Sequence, residues 1–133
     1  MITPTNRWEK EREYRGEIVR RGKEIVRILF IPEEEEKGGV TKASLRNMIE
    51  FACISSSFEE FKLRSLYLAS RSIERAKSRD IVIFIRDLIK NVKDLYGKYS
   101  DLKDELSIVK DLLEAATMAF YARSQHLDGD LYG

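Results

Sequence analysis

The stretch DIVIFIRDLIKNVKDLYG, residues 80–97, decides the fold class. Read alone, IVIFI at 81–85 fits a strand buried on both faces, because a continuous apolar run covers both sides of a sheet. The residues after it remove that reading. Leu88, Val92 and Leu95 continue Ile81, Phe84 and Ile85 in steps of three and four residues, which is the helical period, and no other segment alternates long enough to supply a partner strand. The segment is therefore predicted to be a helix opened by Asp80, with Gly97 placed as its C-terminal stop.

The same stepping extends outward in both directions. Upstream, Ser57 and Glu60 form a capping box that starts a helix running to about Ser78. Its Phe58, Phe61, Leu66, Leu68, Ala69, Ile73 and Ala76 make one broad apolar stripe around the small Ser65, while Leu63 falls outside it, exposed or facing a partner. Before that, Thr41 caps a helix carrying Leu45, Met48, Ile49, Ala52 and Cys53 at helical spacing, with Cys53 read as a small core residue. Downstream, Ser100 or Asp101 caps a last helix whose Leu102, Leu106, Val109, Leu113, Ala116 and Phe120 share a face. At the other end, Trp8, Tyr14, Ile18, Ile25, Val26 and Leu29 line an irregular face of a long first helix, weakened by Gly16 and Gly22 and ended by Pro32.

These elements predict an all-α fold, a small bundle of about five helices with a long N-terminal helix. At 133 residues the chain suits one domain. Within it, 1–31 is the first helix, 32–40 an exposed linker containing EEEEKGG, 41–123 the core bundle and 124–133 a loose tail. The linker would let the first helix move relative to the rest. With no apolar run near the roughly 18 to 20 residues that span a bilayer, and no signal-peptide core at the amino terminus, the expected location is the cytoplasm, away from membranes.

Few groups suit catalysis. Cys53 is the only cysteine and His126 the only histidine, so neither a disulfide nor a cysteine metal cage is available within the chain. A nucleophilic Cys/His pair would need the two to meet by tertiary accident. Asp101, Asp104, Glu105 and Asp111 could be proposed as a metal-binding carboxylate set but read as the solvated face of a helix. Arg123-Ser124-Gln125-His126 is superficially similar to the arginine and histidine motif of helical HEPN ribonucleases, which has more residues between the two, so the match is rejected. No cofactor motif is present; Gly38-Gly39 precedes no GK[ST]. The expectation is a protein that is not an enzyme.

Charge offers more. The totals nearly cancel, 24 Lys and Arg against 23 Asp and Glu, yet residues 41–79 carry eight basic against four acidic side chains. From residue 80 onward the balance reverses, seven against ten. Lys42 and Arg46, four apart, share a helix face. Arg64, Arg71 and Arg75 gather opposite the apolar stripe of their helix, with Tyr67 beside them to stack on a base. Such cations bind phosphates by charge-assisted hydrogen bonds; they also serve, in any surface helix, simply to solvate the outer face.

Three segments together resemble the small helical subunit of the type III-A CRISPR interference complex, the Csm complex. VTKASLRNM resembles its threonine-capped helix start, here Thr41, Leu45 and Arg46. FKLRSLYLASRSIERAK is similar to its run of apolar, aromatic and small residues closed by arginine, here Leu66, Tyr67, Ala69 and Arg71. DLLEAATMAFYAR resembles its C-terminal helix, here Glu114, Ala115, Ala119, Phe120 and Tyr121. The matches fall within about two-thirds of the chain, with a shorter span between Arg46 and Arg71 and a longer first helix than in the family. The resemblance implies a non-catalytic subunit stacked in several copies, contacting guide RNA, target RNA and the other subunits of the complex. Arg46, Arg64, Arg71 and Arg75 would hold phosphates, assisted by Lys42. The type III-B small subunit fits almost as well, and a helical adaptor or self-associating module without RNA is the rival from another class.

Overall fold

The computed structural model describes residues 4–29, 40–76, 79–127 and 129–132. It is all-α: α1 Pro4–Leu29, α2 Lys42–Ile54, α3 Phe58–Ala76, α4 Asp80–Tyr99, α5 Glu105–Ser124 and the single turn α6 Gly129–Tyr132, with no strand among the described residues. IVIFI lies inside α4, and Ile81, Phe84, Ile85, Leu88, Val92 and Leu95 are all buried.

The bundle is organised around α5, which packs on α1, α2 and α4. Half of its circumference is apolar, with Ile108, Val109, Leu112, Leu113, Ala115, Ala116, Ala119 and Phe120 buried. Each large side chain withdrawn this way contributes roughly 1.5–3 kcal/mol. The alanines let α1 come close. A methyl added at Gly22 would meet the Ala115 Cβ at 2.7 Å and the Ala116 amide nitrogen at 3.0 Å, so this glycine is the contact point of two helices and not merely a weak link. Tyr14, Ile18, Ile25 and Val26 join the same core, which is continuous with α2–α5, so the first helix lies against the bundle rather than apart from it.

Several expectations are corrected. Trp8 is 70% exposed although five full turns place it in line with the buried Val26, so that arc of α1 is covered toward the end of the helix and not at its start. Leu66, about 140° around from Phe61, is 48% exposed, and Leu63 is exposed as expected. Cys53 is exposed. Gly97 does not stop α4, which continues to Tyr99; Tyr99 is buried edge-on against Tyr14 with centroids 5.3 Å apart. That burial outweighs a helical glycine's cost of about 1 kcal/mol. The cap of α5 is Asp104, whose carboxylate accepts from the Ser107 amide at 2.8 Å, and neither Ser100 nor Asp101 serves. Val40, placed in the linker, is buried. The tail is not wholly irregular, since it contains α6. Pro32, most of the linker, Lys77 and the Ala76 side chain lie outside the described residues.

The upstream caps form as expected, with one difference. Thr41 Oγ1 accepts from the Ser44 amide at 3.1 Å. Ser57 Oγ accepts from the Glu60 amide at 3.1 Å, but the Glu60 carboxylate turns back to Ser56, accepting from its hydroxyl at 2.9 Å and its amide at 3.4 Å. Among the described residues no helix is long and apolar enough to cross a membrane.

Candidate nucleic-acid interface

The six sequence-selected residues fall in two groups. At the start of α2, Lys42 and Arg46 share a flank; the Lys42 ammonium lies 4.8 Å from the centroid of the Tyr121 ring of α5. That cation–π contact fixes the lysine beside an aromatic ring that is itself 40% exposed. Arg46 is exposed, and no described residue offers it an ion pair or hydrogen bond.

The second group is on α3. Phe58, Phe61, Ser65 and Ala69 turn inward, which forces positions half a turn away to point outward. Tyr67 is 61% exposed there, and its hydroxyl oxygen accepts a hydrogen bond from Arg71 at 3.3 Å, with the guanidinium 5.9 Å from the ring centroid. Ring and guanidinium thus present one joint surface, able to stack on a base and reach a phosphate. Arg75 is exposed one turn further on, with no described partner. Arg64 differs. Its Nε bonds the Glu60 carboxylate at 3.0 Å, and that bond, with those from Ser56, holds the Glu60 carboxyl below its usual range. Arg64 is consequently the most self-satisfied of the six.

Three of the four carboxylates weighed for metal binding have other duties. Asp101 pairs with Lys10 at 2.9 Å, Asp104 caps α5, and Asp111 accepts from the Tyr14 hydroxyl at 2.6 Å. No group of three potential ligands occurs among the described residues. A groove between α1 and α5, lined by Tyr14, Ile18, Val19, Asp111, Ala115 and Met118, holds about 170 Å³, below the roughly 300 Å³ at which small-molecule pockets begin.

Sequence reasoning missed Arg86, Lys90 and Lys93, which lie exposed on the outward face of α4. Summed over residues 80–133 they disappear into an acidic total; stepping by four and three residues along α4 alone would have found them. Compared with protein-family models, curated proteins and solved structures, the chain matches none.

Proposed function

We propose that this protein positions RNA without catalysing a reaction, as the small subunit of a type III-A CRISPR ribonucleoprotein contacting guide and target RNA. The observation that carries the RNA part is the two outward surfaces of α3 and α2, where the Tyr67–Arg71 pair and Arg75 on the one and Arg46 on the other stand exposed and no described acidic side chain neutralises them. Around α1, by contrast, several cations pair with acids, as in Lys10–Asp101, Arg20–Glu17 and Lys98–Glu17. The family assignment rests on the sequence resemblance, which the type III-B small subunit shares in size and helical character. No step of chemistry is assigned to the chain; its role is to fix phosphates and stack on bases.

One observation favours a second reading. Leu63, Leu66 and Tyr67 expose apolar surface side by side on α3, and Leu63 is 70% exposed. Such a cluster suits a protein partner, whether another subunit or a second copy of the chain. Single-stranded RNA binding across a salt series separates the two readings. Loss of three phosphate contacts in an Arg46→Ala, Arg71→Ala, Arg75→Ala variant should make the plot of log affinity against log salt shallower by about 2. Absence of RNA binding by the wild type even at low salt would reject RNA positioning and leave the interaction module.

A further inference from the structure

We infer that α4 carries a second nucleic-acid contact, a phosphate-tracking stripe formed by Arg86, Lys90 and Lys93. The inference rests on the RNA-positioning reading and extends it to a surface that reading does not use. In α4 the core side is fixed by Ile81, Phe84, Ile85, Leu88, Val92, Leu95 and Tyr99. Residues at 83, 86, 90, 93 and 97 alternate steps of three and four, so they form a single row along the opposite side. That row reads Ile83, Arg86, Lys90, Lys93, Gly97, and every member is exposed.

Three features of the row suit a polyanion. The cations have no described ion-pair or hydrogen-bond partner, although α4 itself carries Asp87 and Asp94. Asp94 is drawn to the flank by Arg21, 3.5 Å away across the α1–α4 contact, and Lys98 by Glu17 at 3.4 Å, so the ion pairs of this helix gather beside α1 and leave the outer row positive. Seven residues of helix span about 10 Å, so the three charges are spread along a line as a strand's phosphates are, not gathered at a point. At one end Tyr96, 38% exposed and three residues from Lys93, offers a ring edge. Beside it Gly97 sits in the helix with nothing within 4 Å of a Cβ built there, so no packing among the described residues requires a glycine at that position. A bare backbone there admits a close-lying partner. A strand running along α4 would meet charge, ring and open backbone in sequence.

The test is single-stranded oligouridylate binding to the full chain across a salt series. It compares the wild type, an Arg86→Gln, Lys90→Gln, Lys93→Gln variant, and the Arg46, Arg71, Arg75 triple alanine variant, with circular dichroism melts confirming the fold of each. Glutamine keeps helix propensity and removes only charge. The α4 variant is expected to lose about 2 from the salt slope. Combining both sets should flatten the slope further than either alone. An unchanged slope in the α4 variant, with loss in the α2/α3 variant, overturns this inference while sparing the RNA reading. Retained RNA binding with lost binding to poly-glutamate assigns the stripe to an acidic protein surface and likewise overturns it. No oligouridylate binding by the wild type at low salt rejects both together.

Discussion

His126 closes α5 in a backbone conformation that its side chain disfavours, with φ at 59°. Two hydrogen bonds impose it: the Leu127 amide donates to the Ala122 carbonyl at 2.8 Å and the His126 amide to that of Arg123 at 3.0 Å, the paired bonds of a glycine-type helix end. Replacing His126 with glycine is expected to raise stability by about 0.5–1 kcal/mol, read as a higher Tm. Glycines inside α1 should respond in opposite directions. Gly16 has open space around a Cβ, so Gly16→Ala should stabilise by about 0.5–1 kcal/mol through helix propensity. Gly22→Ala gains the same propensity but drives a methyl into Ala115 and the Ala116 backbone, and is expected to destabilise by about 1–3 kcal/mol net. Denaturant unfolding of the two variants side by side reads the contrast.

The attachment of α1 belongs to the scale of elements. Beyond its apolar face, α1 is tied down by polar contacts that the sequence does not advertise. The Tyr14 hydroxyl donates to Asp111 of α5, and burial first, then that acidic partner, push its pKa upward. The Tyr99 hydroxyl of α4, buried and near Glu13 and Glu17, is pushed up to about 12. Glu17 is the hub. It receives Arg20 at 2.6 Å, Arg21 at 3.8 Å and Lys98 of α4 at 3.4 Å. Burial acts to raise the Glu17 pKa, but these cations together hold it below its ordinary value of 4.5. Asp101 is likewise depressed, chiefly by Lys10, and Asp104 by the Ser107 amide. Folding therefore favours the ionised carboxylates, and the unfolded chain binds more protons on acidification. Their stabilisation is complete above the ordinary carboxylate values and is lost as pH falls through the depressed ones, so Tm should decline from about pH 5 downward. Glu17→Gln should cost about 1 kcal/mol at neutral pH and make that decline shallower; an equally steep decline in the variant would place the acid sensitivity elsewhere.

At the scale of the whole molecule, stability and the candidate interface are separable. Arg46, Arg71 and Arg75 support no buried contact, so their triple alanine variant is expected to keep a melting curve within about 0.5 kcal/mol per site of the wild type while its RNA salt slope changes. A variant that unfolds would contradict the surface role assigned to them. The helical class, the helices and most of the core were legible in the chain because helix formation is periodic and local: residues 80–97 declare their period within themselves, and Thr41 and Ser57 satisfy amides only three residues away. The placement of the candidate cations on outer faces was legible for the same reason. What the chain alone left undecided depends on neighbours distant in sequence. Trp8 and Leu66 are apolar, but whether an arc of helix is covered depends on which helices lie against it. Gly22 reads as a weak point until Ala115, far along the chain, stands 2.7 Å from where its Cβ would be. Arg64 is the local exception, since its partner Glu60 stands only four residues before it on the same helix and the pair was open to i, i+4 reasoning. The row on α4 can be stepped out along the chain, but that it stays positive depends on tertiary ion pairs that draw Asp94 and Lys98 toward α1, because charge cancels through space and not along the chain.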